Sequence, residues 1–307
     1  MNIGLIGARR TSNGIGEYIG KYFHACGAKV LAVLGTTPDT SALAASNLEK
    51  YGIHASPYTD LSHMIDAEEI DAVAIASPVQ THLPYIRKCI EAGVHIFCEK
   101  PFISPEIRDS KLVLDEIFTR AEKAGITIAM NSQWCFSLPY YEGLCGREAT
   151  GRSTMFTMRL SPVCSGADMI PDSVPHALSM LYTMFGQGSL RGLNIEAGKE
   201  TMEISFTYAG KGIRCLAEIL LVTEKVQPRT FSFGFGGRIV ERTIDMETYR
   251  IGFVFKGRTI GIPDPLELSV RDFICCVEQK RSPTVGREHI VATSLKLGEI
   301  YDAYMVH

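Results

Sequence analysis

Three groups of residues in this 307-residue chain have the types and spacing for chemistry. Glu99-Lys100-Pro101 follows a short apolar run, Val94–Cys98. A lysine leaving the end of a buried strand can donate a hydrogen bond to a substrate oxygen and ease loss of the hydroxyl proton. Read without such a partner, Lys100 is a solvated lysine after a strand. Glu99 is placed to orient Lys100 or to cap the local backbone. Asp172 and His176 stand four residues apart. On a helix that spacing puts both on one face. Histidine titrates near neutrality, so it can take a hydroxyl proton. The aspartate can bind a substrate hydroxyl or fix the imidazole. The alternatives are a helix cap for Asp172 and a buried structural imidazole for His176. Because proline is tolerated only in a first helical turn, Pro175 predicts a helix that begins around Ser173, with Asp172 at its cap.

The third group is the loop Gly7-Ala8-Arg9-Arg10-Thr11-Ser12-Asn13-Gly14-Ile15-Gly16. Glycines followed by a helix N-terminus make an anion site, and a pyrophosphate is the usual occupant. The spacing departs from the G-x-G-x-x-G dinucleotide fingerprint, because six residues separate Gly7 from Gly14. Gly7, Gly14, Ile15 and Gly16 would shape the backbone, with Arg9 and Arg10 beside it. The other reading is an ordinary surface loop.

The flanking elements decide what these groups can do. Asn2–Ile6 reads as a strand, 14–26 as a helix and Lys29–Leu34 as a second strand. At the end of that second strand an NAD site usually has an acid for the ribose 2′-hydroxyl. This chain has Thr36, which does not repel a 2′-phosphate, and Arg9 or Arg10 could meet one. The residues lean toward NADP over NAD; otherwise Thr36-Thr37 is simply a turn. Asp71–Ala76 is a further strand, broken by Ser77-Pro78, which would lie against the cofactor. A helix follows over Thr81–Ala92 and ends at Gly93. His82, at its start, reads equally as a cofactor contact or a structural one. Val94–Cys98 then gives a βαβ crossover and a parallel sheet. A long helix is predicted over Ser104–Ala124 with Ser104 as N-cap, then a strand at Ile126–Met130. Asn131 to Trp134 leave that strand, and Trp134 suits either a site or packing.

The order Asp-x-Val-x-Ile-x-Ser-Pro-x-x-x-His (Asp71 to His82), Glu-Ala-Gly-x-His (91–95) and Glu-Lys-Pro (99–101) closely resembles the glucose–fructose oxidoreductase/inositol dehydrogenase (Gfo/Idh/MocA) family. Asp172-x-x-x-His176 resembles the same family's catalytic motif. The resemblance implies a Rossmann domain followed by an α/β domain with a largely antiparallel open sheet. It implies NAD(P)-dependent hydride transfer at a secondary alcohol or carbonyl of a sugar, inositol or related polyol. Lys100 would polarise or orient the oxygen, His176 would be the general acid/base, and Asp172 would hold substrate. Ser77, Pro78, His82, Glu99 and Lys100 would border the cofactor. Relatives commonly assemble through the sheet face, so a homodimer or homotetramer is expected. Two alternatives remain at this level: a cofactor-sensing regulator of the same fold, and a reductase of C=N or C=C bonds.

Beyond residue 130 the pattern changes. Leu138–Leu144 reads as a helix, Ser153–Leu160 alternates like a strand, and several alternating segments with glycine-rich turns run from Leu190 to Gly261. Long crossovers are absent there, as in an antiparallel sheet. Two domains are expected, 1–130 and 131–307. The net charge is −3, with no basic stripe to support nucleic-acid binding. No apolar run suits a membrane span. Nine scattered cysteines and a strand beginning at the second residue fit reduced thiols in a cytoplasm. Arg159 and Asp168 are further substrate-contact candidates. His54, His63, His95 and His289 lack partners at metal-ligand spacing, so no metal site is expected.

Overall fold

In the computed structural model, which describes residues 1–8, 14–146, 153–210 and 212–306, the apolar runs before residue 132 form one six-stranded sheet. Its strands are β1 (Asn2–Ile6), β2 (Lys29–Leu34), β3 (Ser56–Tyr58), β4 (Ala72–Ile75), β5 (His95–Glu99) and β6 (Ile128–Asn131). All neighbours pair in parallel, in the order β3-β2-β1-β4-β5-β6. Two βαβαβ halves meet at β1 and β4, where the winding reverses; this is the Rossmann arrangement. A strand covered on both faces needs continuous apolar sequence, and AVAI of β4 is buried throughout. The sequence reading does not anticipate β3, whose Pro57 argues against a strand. It survives because β3 is an edge, where a missing N–H breaks no outer ladder.

The helices of this unit are α1 (Gly16–Ala25), α2 (Pro38–Glu49), α3 (Leu61–Ala67), α4 (His82–Ala92) and α5 (Ser110–Lys123). The helix expected from Ser104 begins at Ser110 instead. The Ser104 hydroxyl accepts only the Glu106 N–H, at 3.3 Å, in a local turn. Asp109 then takes a left-handed φ of +55°, which interrupts any helix running through it.

By packing, the chain divides into two compact units: Met1–Asn131 with Leu266–Val291, and Ser132–Pro265 with Ala292–His307. The single break after residue 130 misses the return of 266–291 to the first unit. The cause is α8 (Pro265–Gln279), which buries Leu266, Val270, Phe273 and Ile274 in one core with Phe23 and Phe97. Phe23 meets Phe97 and Phe273 edge-on, at 5.5 and 6.0 Å between centroids.

His289 is buried in this unit, and burial pulls its imidazole down to about 4 despite a backbone hydrogen bond at Thr284. Its folded pKa lies below its unfolded value, so the unfolded chain takes up the proton first. The stabilisation is complete above about pH 6.5 and is lost as pH falls toward 4. About 3 kcal/mol should go over that window. Urea midpoints at the two ends of it test this, and His289→Gln should flatten the difference.

The second unit holds α6 (Leu138–Cys145), β7 (Ser153–Leu160), α7 (Met169–Phe185) and seven further strands: β8 (Ser189–Ala197), β9 (Thr201–Gly210), β10 (Ile213–Val222), β11 (Ser232–Phe235), β12 (Arg238–Ile244), β13 (Ile251–Phe255) and β14 (Arg258–Ile262). Helix α9 (Arg287–Val306) closes the chain. The sheet order is β14-β13-β12-β11-β7-β10-β9-β8. Only β7 and β10 pair in parallel; the other neighbours are antiparallel. Strict alternation gives the sheet one buried face. Met202, Ile204, Phe206 and Tyr208 of β9 lie on it beside Cys215, Ala217, Ile219 and Leu221 of β10. Helix α7 packs against β7, β9 and β10. Among the described residues no helix is long and apolar enough to cross a membrane.

Candidate active site

The first unit gathers most of the expected cofactor residues at the carboxyl ends of its strands. Gly7 follows β1, Gly35-Thr36 follow β2, Ser77-Pro78 follow β4, Lys100 follows β5, and Asn131 ends β6. In an open parallel sheet this is the edge that holds ligands, at the point where strand order reverses.

Gly7 and Gly16 are required by contact. A Cβ on Gly7 would stand 2.6 Å from the backbone of Ala76 and Ser77, and one on Gly16 would stand 2.5 Å from the Gly7 carbonyl oxygen. The end of β1, the end of β4 and the start of α1 therefore touch backbone to backbone. Ile15, the N-cap of α1, offers no side-chain acceptor to the first helical N–H groups. Glu17, in the same first turn, is buried and turned sideways: its carboxylate accepts from Tyr51 and pairs with Lys50, both at 2.7 Å. That spends its charge away from the helix end. Such a cradle fits a pyrophosphate. The helix expected from Gly14 starts at Gly16, so Gly14 precedes α1. Arg9 and Arg10 lie outside the described residues.

At the end of β2, Thr36 is exposed, 3.5 Å from the Thr40 hydroxyl. Thr37 and Thr40 form a capping box that starts α2 at Pro38.

His82 is enclosed, and its ring braces the backbone. Nε2 stands 2.8 Å from the Ser77 carbonyl oxygen and Nδ1 3.0 Å from that of Pro101. Two carbonyl acceptors favour a doubly protonated ring. Burial opposes it more strongly, the Lys100 charge adds to that, and the net shift is downward. Both ring nitrogens face backbone carbonyls, which supports the structural alternative for His82. The brace joins the end of β4 to the residue following Lys100. The Ser77 hydroxyl meets that of Thr81 at 2.6 Å, and Thr81 donates to the Pro78 carbonyl at 2.7 Å, which closes the turn after β4. Glu99 is buried and accepts from the Asn131 amide at 2.6 Å, which links β5 to β6 beside Lys100. Asn131, which the sequence places only at a strand end, is here the partner that holds Glu99. The Lys100–Pro101 peptide bond is cis.

In the second unit, Asp172 and His176 both lie on α7, one turn apart. The helix begins at Met169, not around Ser173, and its N-cap is Asp168. Asp172 is therefore in the first turn, not at the cap, and Pro175 lies inside the helix. Proline there costs about 3 kcal/mol. Burial of Met169, Ile170, Val174, Leu178 and Leu181, at about 1.5–3 kcal/mol for each large side chain, outweighs it. His176 is buried, while Asp172 is exposed and accepts from the Ser173 hydroxyl at 3.1 Å. Arg159 pairs with Glu224 at 3.1 Å. Trp134 is buried in a 3-10 turn, Gln133–Ser137, that packs on α7, and its ring stacks on Phe231 at 3.9 Å.

A Rossmann sheet whose β1, β4 and α1 ends meet at glycines is the arrangement of a dinucleotide-binding unit. Residues 1–132 match the family model "Oxidoreductase family, NAD-binding Rossmann fold". By that match the Rossmann portion is similar to the Gfo/Idh/MocA oxidoreductase family. Inositol 2-dehydrogenase 4 of Saccharopolyspora erythraea is 29% identical over 191 residues, 61% of this chain. The chain spans about half of that relative's length, 54%, and 21% of the length of inositol 2-dehydrogenase 2 of the same organism. Among solved structures, UDP-N-acetylglucosamine 3-dehydrogenase of Acidithiobacillus ferrooxidans superimposes with a TM-score of 0.71 at 17% identity, covering 99% of this chain and 97% of that one. An Agrobacterium radiobacter oxidoreductase in complex with NAD+, L-tartaric acid and magnesium gives 0.70 at 14% identity, covering 99% and 96%. At these identities the two structures speak for the fold.

Proposed function

We propose that this protein is an NAD(P)-dependent dehydrogenase acting on a secondary alcohol or carbonyl of a sugar, inositol or related polyol. The observation that carries the reading is Lys100, held at the carboxyl end of β5 in a Rossmann unit of an oxidoreductase family. The inositol dehydrogenases among the similar proteins support the substrate class.

Gly7, Gly14, Ile15 and Gly16 would hold the pyrophosphate, with Arg9 and Arg10. Ser77 and Pro78 would border the nicotinamide, and His82 and Glu99 would keep their backbone and Lys100 in place. The cofactor, when bound, supplies the hydride acceptor or donor. The chain's own work is positioning and proton transfer. The Lys100 Nζ donates to the substrate oxygen, stabilising negative charge as its proton leaves. His176 would take a hydroxyl proton on a ring nitrogen in oxidation and return it in reduction, as the resemblance of the Asp172–His176 motif implies. Asp172 accepts from a neighbouring substrate hydroxyl and orients the carbon. NADP is the preferred cofactor in this reading, because Thr36 stands where an acid would exclude a 2′-phosphate.

The test is a steady-state screen of the whole chain with NAD+ and NADP+ against inositols, sugars and sugar acids, followed by nicotinamide absorbance. Turnover of a secondary alcohol supports the reading. Cofactor binding without turnover of any such compound, or of its ketone in reverse, sinks it.

The protein acts as a homodimer or homotetramer built on the outer face of the eight-stranded sheet, where Leu216 and Ile239 are exposed. Sedimentation at micromolar concentration should give a dimer or tetramer, and Leu216→Glu should weaken it; a monomer throughout contradicts this.

A further inference from the structure

Arg242 is a charged side chain that no role described so far accounts for. On β12 it shares the face of Val240, which is buried, whereas Ile239, Glu241 and Thr243 are exposed. Its Nη2 donates to the Arg229 carbonyl at 2.5 Å. The guanidinium carbon lies 5.6 Å from the centre of the Trp134 ring and 5.3 Å from that of Phe231, the two rings being stacked on each other.

The surroundings do not neutralise it. Among the described residues no carboxylate stands within ion-pair distance of Arg242. Glu224 is engaged by Arg159 at 3.1 Å and by the Thr230 N–H at 2.8 Å. Asp264 attracts Arg242 only from longer range, and Arg229 repels it. Burial first, and then the Arg229 charge, pull the guanidinium down to about 10, which still leaves it charged at neutral pH. A valine or leucine would cover the same face of β12 without the desolvation cost that an uncompensated cation carries. A planar fork beside an aromatic wall is, on the other hand, the usual way to hold a carboxylate or phosphate through two parallel hydrogen bonds. Arg242 keeps intermediate exposure, so a solute can reach it.

The group is continuous with the helix of Asp172 and His176. The turn that carries Trp134 packs on α7. Arg229 donates to the Ser161 carbonyl at 3.3 Å, which anchors the loop that leads from β7 toward α7.

We propose that Arg242, with Arg229 and the Trp134–Phe231 stack, binds an oxyanion substituent of the substrate, either a carboxylate or a phosphate. The substrate is then a sugar acid or a sugar phosphate in preference to a neutral polyol. Calling the ligand a substrate rests on the dehydrogenase reading above; the anion site itself does not.

Trp134 is the only tryptophan of the chain and reports on this site directly. The whole protein, free of cofactor, is titrated at fixed ionic strength with D-gluconate, inorganic phosphate and myo-inositol, by Trp134 emission and in parallel by calorimetry. Gluconate or phosphate should bind saturably, the tighter of the two naming the source of the oxyanion, and myo-inositol should bind at least tenfold more weakly. R242M should lose about 10–100-fold in affinity, the worth of one or two charge-assisted hydrogen bonds, and R242K should fall between. If R242M does not fold, the wild-type comparison and R242K decide. No saturable binding of either anion, equal binding of myo-inositol, or unchanged binding in the variants overturns the proposal. A separate titration with NADH and NADPH keeps the two readings apart. Anion binding without nucleotide binding spares this site and sinks the dehydrogenase, and the reverse result sinks this site alone.

Discussion

Lys100→Met lowers kcat by about 10²–10⁴-fold, the range for removal of a group that assists proton transfer, and leaves the dissociation constant for the cofactor nearly unchanged. The side chain follows β5, while its neighbours are fixed by other means. Glu99 is tied to Asn131, and the Pro101 carbonyl is braced by His82. Methionine therefore removes the ammonium from a strand end that stays in place. Lys100→Arg is not expected to restore activity: guanidinium is larger, planar and differently hydrated. Single-turnover rates with the screened substrate, and nicotinamide fluorescence for affinity, separate the two effects. A variant that loses cofactor affinity and keeps its rate would assign Lys100 to binding and remove it from the chemistry.

Gly7→Ala is the second large effect, and it acts on the fold and the cofactor site together. Gly7 has a φ of +85°, and a Cβ there would stand 2.6 Å from the Ala76 carbonyl carbon, its oxygen and the Ser77 nitrogen. Backbone atoms cannot swing aside as a long side chain can. Strain in the left-handed region alone is worth about 1–3 kcal/mol, and with the clash the loss should reach about 3–5 kcal/mol. The ends of β1 and β4 must also separate, so cofactor affinity falls. Gly27 supplies the control. It has a similar φ, +89°, but a Cβ there meets nothing within 4 Å. Gly27→Ala should cost only about 1–2 kcal/mol. Urea unfolding of both variants checks the difference; equal losses would mean that dihedral strain, and not the β1–β4 contact, sets the requirement at Gly7.

The sequence carries the first unit well because its signals are local. Short apolar runs alternate with amphipathic stretches, and the residues that end them, Gly7, Gly35, Ser77 and Lys100, fall on one edge once the strands are parallel. Starts of helices are less legible. Ser104 looks like a cap, but nothing in the sequence announces the left-handed Asp109 that delays α5. Pro175 suggests a late start to α7, and only the extent of burial along that helix explains an early one. The return of α8 to the first core depends on Phe273 meeting Phe23 and Phe97, a contact between segments far apart in sequence. His82 shows a similar limit: its position reads equally as a cofactor contact or a structural one, and the carbonyls of Ser77 and Pro101 that its ring meets are brought together only by the folded backbone. Arg242 left a trace. Within RIVERTI it has the parity of Val240, so an arginine on the covered face of a strand was there to be read.

On the reading proposed above, the first unit holds a nicotinamide dinucleotide across the stretch from Gly7 to Gly16. Calorimetric titration of the cofactor-stripped chain with NADPH, and separately with NADH, tests it most directly. One saturable site per chain is predicted, with NADPH the tighter ligand because Thr36 lacks a carboxylate. Tighter binding of NADH would reverse the argument from Thr36 and leave the fold reading intact. Binding of neither would mean that the glycine contacts at the ends of β1, β4 and α1 serve packing alone, and the proposed dehydrogenase would fall with them.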